Sequence, residues 1–365
     1  MAETSLSRLE RVPAASRRYG AVVKQSDVTN ASQRVGRATV RDIAAETGVS
    51  IATVSRVLNE HGSVAPQTRQ LVQQAVERLG SRAPGPRGGT AKPTGGAVYV
   101  RCPYVLTDYF GLIVSSIAET VERHGKQLIL NAGEAAQRSQ VLSRLVGDGG
   151  VGGAILILPP ESGDELVRLR ARRFPFVVVD PRTTLPRDIA AVSAAHFAGA
   201  RQLAAHLVEL GHTRIGVIGG PREWLASDAR LSGHAAALAD VGILPAPELV
   251  RYVEPTTEHG HRAAGGLLDL PQRPTALVGF NDKSAVGALQ AAAERGLRVP
   301  ADLSVTGFDD IDLSRVTSPM LTTVRQPLQE MGRMAVSLLV RLMDRHEVEA
   351  LHVELATELV VRGST

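Results

Sequence analysis

The sequence predicts two structural classes in one chain: a small all-α helix-turn-helix headpiece, then an α/β domain of two lobes built on doubly wound parallel sheets. Three observations carry this reading. Residues 38–59 hold two short stretches with apolar faces around a single glycine. Residues 81–96, SRAPGPRGGTAKPTGG, interrupt the chain with proline and glycine. From Ala97 onward, short runs rich in Val and Ile alternate with helical stretches, the pattern of buried parallel strands joined by crossover helices.

In the first part, Thr39 is a candidate cap for the first helix, with Asp42 three residues on in a capping-box arrangement. Val40, Ile43 and Ala44 share one apolar face. Gly48 supplies the left-handed turn, and Ser50 can cap the second helix. Val54, Val57 and Leu58 bury that helix, leaving Ile51, Ala52, Thr53, Ser55 and Arg56 outward. A slim polar face at a helix N-terminus suits a DNA major groove; taken alone, the same pattern also fits an ordinary helical hairpin. A third helix runs from Pro66 to about Leu79, with Val72, Val76 and Leu79 as its apolar stripe and Ala65 where a capping hydroxyl would strengthen its start.

The chain has 365 residues, enough for two or three domains, and 44% of them are hydrophobic. Its net charge of +4 is too small for a general polycation, so basic residues that meet nucleic acid must be local, and Lys and Arg outnumber Asp and Glu between Arg37 and Lys92. The single cysteine, Cys102, excludes an internal disulfide framework and reads as a half-buried apolar residue. No run is apolar enough to span a bilayer and no secretory core stands at the start, so a cytoplasmic protein without membrane partners is expected. Residues 1–37 read as a disordered basic arm.

Expected strands lie at 98–100, 128–130, 154–158, 176–180, 215–218, 276–279 and 303–308, with helices at 110–123, 197–210, 228–240 and 284–295. Residues 38–80 thus form the DNA-binding unit, 81–96 a linker and 97–365 the α/β domain.

Thr39, Asp42, Ile43, Ala44, Gly48, Val49, Ser50, Thr53, Val54, Ser55, Arg56, Leu58 and Asn59 together resemble the headpiece of the lactose-repressor/galactose-repressor (LacI/GalR) family. Segments 210–220 (LGHTRIGVIGG), 228–233 (DARLSG), 281–287 (NDKSAVG), 296–310 (GLRVPADLSVTGFDD), 318–324 (SPMLTTV) and 359–364 (LVVRGS) resemble that family's effector domain. The resemblance implies a fold like periplasmic sugar-binding proteins, with a ligand between two lobes and crossing strands as a hinge. It implies a transcriptional regulator, a repressor in the usual case, that pairs as a homodimer on a pseudo-palindromic operator and answers to a small effector, a sugar or sugar derivative.

By the same resemblance, Ile51, Ala52 and Arg56 read bases. Arg can grip guanine O6 and N7 through two parallel hydrogen bonds, while Ile51 and Ala52 offer apolar contact to a thymine methyl. Ser50, Thr53, Ser55 and Asn59 suit phosphate oxygens. Asp180, Arg230, Asn281 and Asp282 fall at the effector-binding positions, where carboxylates and a guanidinium match sugar hydroxyls, and Tyr109 and Phe110 close from the first lobe. Each has a structural alternative: Asp282 as a helix cap, Arg230 as an interlobe ion pair, Asp180 as a turn residue, Tyr109 and Phe110 as core. Pro255 stands where sugar-binding members carry a stacking aromatic, and Trp224 is either a substitute or a surface lid.

The linker departs from the family's hinge helix. Pro84, Gly85, Pro86, Gly88 and Gly89 make a helix costly, at about 1 kcal/mol per Gly and about 3 per Pro, and Thr90 replaces the leucine wedge. A flexible linker and weaker or less bent DNA are expected, with Arg82, Arg87 and Lys92 left for phosphates. His259 and His261 lack the spacing and partners of a metal site. No phosphate loop, dinucleotide fingerprint or nucleophile elbow is present, so no cofactor and no enzyme activity are expected. A metabolite-binding module with a vestigial headpiece is the alternative.

Overall fold

The structure, a computed structural model, describes residues 39–58, 64–79, 96–138, 142–145, 150–346 and 351–365. The chain falls into two compact units, Met1–Thr90 and Ala91–Thr365. The expected N-terminal arm, Asn59 and linker residues 81–95 lie outside the described residues.

The first unit packs α1 (Val40–Thr47), α2 (Ile51–Leu58) and α3 (Pro66–Leu79) around Ile43, Val54, Val57, Val72 and Ala75. The capping box forms: the Thr39 amide donates to the Asp42 carboxylate at 2.6 Å, and the Asp42 amide donates back to Thr39 Oγ1 at 3.4 Å. Gly48 ends α1 at φ 65°, the conformation a side chain resists. Ser50 Oγ accepts from the Thr53 amide at 3.1 Å and starts α2.

The second unit has two lobes. In the first, strands β1 (Ala97–Cys102), β2 (Leu128–Ala132), β3 (Val151–Ile157), β4 (Phe176–Val179), β5 (Ala190–Ala194) and β11 (His352–Leu355) form one parallel sheet in the order β11-β5-β4-β3-β1-β2. Alternate residues face opposite layers. Val98, Val100, Ile155, Ile157, Val177 and Val179 meet α4 (Asp108–Arg123) and α13 (Leu328–Met343). Ala154, Leu156, Phe176 and Val178 meet α6 (Leu142–Leu145) and α7 (Gly163–Ala171), and α5 (Glu134–Arg138) follows β2.

The second lobe carries β6 (Ile215–Gly219), β7 (Val250–Tyr252), β8 (Ala276–Gly279) and β9 (Ser304–Thr306), parallel and ordered β7-β6-β8-β9. Ala276 and Val278 face α8 (His196–Glu209) and α9 (Leu225–Ala239); Leu277 faces α10 (Thr257–Leu268) and α11 (Asp282–Glu294). The chain crosses between lobes three times: at Ala195, at Gln326 and Pro327, and at residues 356–357. The last two crossings flank β10 (Thr323–Arg325) and β12 (Glu358–Val360), which pair antiparallel, and α12 (Leu313–Val316) precedes β10.

Each strand expected from the sequence has a counterpart. β5, β7, β10, β11 and β12 were not expected: β5 is alanine-rich, β7 is a half-buried edge strand of three residues, and β11 is an edge strand with only alternate residues half-buried. α9 begins at Leu225, three residues ahead of the expected Asp228, because Trp224 is its cap residue and turns inward. Cys102 is fully buried rather than half-buried.

Two helix pairs approach so closely that only glycine fits. A methyl on Gly287 of α11 would strike the Thr257 carbonyl and the His261 amide of α10, and one on Gly233 of α9 would strike the Phe197 carbonyl of α8. Gly287→Ala is therefore expected to cost about 1–3 kcal/mol through overpacking. Gly266→Ala on the open side of α10, with nothing within 4 Å of the added methyl, should instead gain about 0.5–1 kcal/mol. Urea unfolding of both variants checks the contrast; equal effects would contradict the packing argument.

Candidate functional site

Both parallel sheets aim the carboxyl ends of their strands at the space between the lobes, and both reverse strand order there, between β1 and β3 and between β6 and β8. Such switch points are where open α/β sheets hold ligands.

Asp180 follows β4 at φ 53°, an uncommon conformation for a side chain other than glycine. It is buried. Tyr109 Oη donates to Asp180 Oδ2 at 2.9 Å, and His196 Nε2 lies 2.7 Å from Asp180 Oδ1. Arg230 reaches His196 Nδ1 at 3.3 Å and also donates to the Phe280 carbonyl. A guanidinium only donates, so Nδ1 accepts and the Nε2 proton goes to Asp180. A polar chain thus runs from Tyr109 and Asp180 in the first lobe through His196 to Arg230 in the second. Burial pushes the Asp180 carboxyl up, but His196 and Arg230 outweigh it and hold it below the usual range. Burial, with Asp180 beside it, drives the Tyr109 phenol well above its ordinary value.

Arg230 lies between two rings, 4.3 Å from the Phe280 centroid and 3.8 Å from the Phe308 centroid. Asp309 stands 3.9 Å away and accepts from Gln326 at 2.7 Å. Burial lowers the Arg230 value, opposed by Asp309 and Asp180. The rest of the site is aromatic. Tyr104 stacks on Phe110 at 4.5 Å, Trp224 meets Tyr104 and Phe280 edge-on, and Arg182 sits 5.5 and 5.4 Å from the Tyr104 and Trp224 rings. Six of the chain's twelve Phe, Trp and Tyr residues gather here. A small cavity of about 10 Å³ lies beside Arg230 within the second lobe. At the edge, Lys283 Nζ donates to Thr107 Oγ1 of the opposite lobe at 3.1 Å.

The structure thus brings Tyr109, Phe110, Asp180 and Arg230 together. Asn281 is the cap of α11, accepting from the Ser284 amide at 2.9 Å and donating to the Pro255 carbonyl at 3.3 Å. Asp282 is fully buried, and both its oxygens are engaged, by the Ile311 amide at 2.9 Å and Thr323 Oγ1 at 2.6 Å. Burial, with Asp309 nearby, pushes its carboxyl well above the ordinary range. Trp224 is buried rather than a surface lid. Sequence reasoning missed Tyr104, Arg182, His196, Phe280, Phe308 and Asp309. Phe308 and Asp309 follow β9 as Asp180 follows β4, a signal that was readable; His196, one residue into a helix, carried none.

In the first unit, Ile51 is half exposed and Arg56 exposed on α2. The Ser50 and Thr53 hydroxyls bond each other at 2.9 Å near the helix start. α2 also carries Ala52 and Ser55, whose side chains lie outside the description.

A compact three-helix unit with an exposed capped helix, joined to a two-lobed α/β domain with a polar cleft, defines a ligand-regulated DNA-binding protein. Residues 39–81 match the model of bacterial regulatory proteins of the lacI family, and 204–365 match a periplasmic binding protein-like domain. The chain is 34% identical to the HTH-type transcriptional repressor CytR of Escherichia coli K12, over 90% of this chain and 96% of that one, and 36% identical to the regulator MalR of Streptomyces coelicolor, over 89% and 95%. A cellobiose complex of the regulator CelR superposes with a TM-score of 0.67 at 29% identity, covering 90% of this chain and all of that one. The lac repressor dimer bound to operator superposes at 0.68 and 27%, covering 90% and 99%. The chain belongs to the LacI family of transcriptional regulators and is a sequence-specific DNA-binding protein, not an enzyme. No helix of the described residues is long and apolar enough to cross a membrane.

Burial also drives the His234 imidazole, on α9 beside this network, down to about 4 from an ordinary 6.5. Between those values the unfolded chain takes a proton that the folded one refuses. The contribution is complete above pH 6.5 and lost as the pH falls to 4, by about 3 kcal/mol in all. Asp309 has the opposite sign: burial raises it to about 7, so stability falls as pH rises from about 4 to 7. His234→Gln isolates the first effect. The stability difference between the unmodified chain and the variant, from urea unfolding at pH 5–8, should grow with pH up to about 6.5 and then level.

Proposed function

We propose that this chain is a repressor that binds a pseudo-palindromic operator as a homodimer and answers to a small polyhydroxylated metabolite, a sugar or sugar derivative, held between the two lobes. The observation that carries the reading is the polar chain Tyr109–Asp180–His196–Arg230, which spans the lobes inside a ring of aromatic side chains. Carboxylate and guanidinium match hydroxyls that both donate and accept, and aromatic faces suit the apolar face of a sugar ring. The cellobiose complex of CelR, the repressor CytR and the operator-bound lac repressor dimer support ligand class, sign and assembly in turn.

In this reading Tyr109, Phe110, Asp180, Arg230 and Asn281 contact the effector. Asp282, bonded to the Ile311 amide and Thr323 Oγ1, supports them by fixing the start of α11 against β10. The Lys283–Thr107 bond joins the two lobes at the edge of the cleft, and parting the lobes to admit the effector breaks it. On DNA, Ile51, Ala52 and Arg56 read bases, while Ser50, Thr53, Ser55 and Asn59 meet phosphates.

Arg56→Ala should weaken operator binding by about 1–3 kcal/mol and relax discrimination at one base pair; uniform weakening on all DNA would make Arg56 a phosphate contact. Asp180→Asn should leave operator affinity within about twofold while abolishing the effector response, followed by fluorescence anisotropy on a selected operator. Salt-independent or sequence-independent DNA binding by the unmodified chain would favour a metabolite-binding module instead.

A further inference from the structure

The end of the first lobe opposite the cleft is built from the segments that lead into its strands. β1 begins there at Ala97, directly after the linker. The Ala97 amide donates to the Gly150 carbonyl before β3, the Val98 amide to Gln127 before β2, and the Ala154 amide to Pro175 before β4. His352, at the start of β11, donates to the Pro186 carbonyl before β5 at 3.2 Å. Met343, the last residue of α13, lies against Gly153 near the start of β3. One surface therefore gathers Lys126, Arg168, Arg170, Arg173, Arg187 and Arg345. Of the acidic residues described on these segments, Asp188 pairs with Arg170, while Glu122 and Asp344 stay exposed. The sequence adds Asp148, Glu347 and Glu349 in the connections to β3 and β11, so positive charge is densest from the end of α7 to β5, where residues 166–173 read LVRLRARR.

Two of these arginines hold a conformation that costs stability. Arg173 and Arg345 stand second after the last residues of α7 and α13, at φ 55° and 56°. α4, α8 and α11 place Gly125, Gly211 and Gly296 at the same position, also left-handed. Glycine is the usual residue there because any side chain resists that turn. Both arginines are exposed, and neither guanidinium has an ion pair or hydrogen bond among the described residues to offset the strain. The helix macrodipole favours cations in a last turn, which covers Arg168 and Arg170. Arg187 leads into β5 with no helix before it. Strands lie about 4.8 Å apart, so the order β11-β5-β4-β3-β1-β2 spreads the cations from Arg345 to Lys126 over about 24 Å, the rise of about seven base pairs.

We propose that this end of the first lobe is an auxiliary DNA-backbone surface, on which Arg168, Arg173, Arg187 and Arg345 neutralise phosphates of the duplex flanking the operator. The inference rests on the chain's DNA binding and not on the identity of the cleft ligand. Such contacts carry no sequence information and act through charge and counterion release. They add affinity in a chain whose linker, with Pro84, Gly85, Pro86, Gly88 and Gly89, disfavours a hinge helix. The linker joins the lobe at this same end, at Ala97, and brings Arg82, Arg87 and Lys92 of like charge.

Binding of the full chain to a labelled duplex of about 40 random base pairs, followed by fluorescence anisotropy across a potassium chloride series, tests this. Arg173→Gly combined with Arg345→Gly should raise Tm, because glycine suits both turns. The same pair should weaken DNA binding at least about threefold and reduce the slope of log affinity against log salt by about 2. Stability and affinity then move in opposite directions, which a folding defect cannot produce. Arg168→Gln combined with Arg187→Gln touches neither turn and should reduce the slope equally; it decides the matter if the glycine pair lowers Tm. Arg201→Ala combined with Arg298→Ala removes the same charge from exposed positions of the second lobe and should leave the slope unchanged. Unchanged affinity and slope in the first-lobe pairs would overturn the proposal. So would an equal loss in the second-lobe pair, which would trace the effect to net charge alone.

Discussion

One buried guanidinium sets the terms for the α/β domain. Arg230 has left water, and an ion in a protein interior costs several kcal/mol unless charge and hydrogen bonds replace its hydration. Its surroundings answer most of that cost, although its Nε has no hydrogen-bond partner among the described residues. Phe280 and Phe308 present ring faces, the Phe280 carbonyl and His196 accept hydrogen bonds from it, and Asp180 supplies negative charge, joined by Asp309 once that carboxyl ionises. Two of these groups, His196 and Phe308, belong to segments beside the interlobe crossings. Asp180 belongs to the other lobe. Part of the compensation, the charge of Asp180, is therefore present only when the two lobes lie against each other.

That dependence converts a fold into a regulator. A ligand shifts a two-state equilibrium only through contacts that differ between the states. Here the groups best suited to a polyhydroxylated ligand are the groups that hold the lobes together without one. On the proposed reading, an effector held by Arg230 and Asp180 would compete with the interlobe Asp180–His196 bond, which would couple its binding energy to lobe arrangement. Three chain crossings limit the motion to a hinge, and the short antiparallel pair β10–β12 spans two of them.

Much of this was readable in the chain. The helix-turn-helix announced itself through chemistry local to it: Thr39 with Asp42, Gly48, and the Ser50 cap all form as their spacing implies. The Val- and Ile-rich strands were equally plain, because burial on both faces of a parallel sheet demands unbroken apolar runs. What escaped was set by long-range pairing. β5 reads Ala-Ala-Val-Ser-Ala and becomes a strand only because β4 and β11 flank it. His196 gains its place from Asp180, sixteen residues earlier, and from Arg230, thirty-four residues later. Asp282 shows the limit of motif transfer: its position singled it out as a ligand contact, yet Ile311 and Thr323 occupy both its oxygens.

α9 joins these threads. Trp224 seats its start among the aromatic side chains of the cleft, Gly233 lets it lie directly on the α8 backbone, and Arg230 and His234 point successive buried polar groups along one face. A helix clamped to its neighbour through a glycine has little freedom to bend. It is packed on α8, and α8 starts directly after Ala195, where the chain crosses between lobes. A displacement forced at Arg230 is consequently delivered to the hinge by a rigid pair of helices rather than absorbed within the lobe.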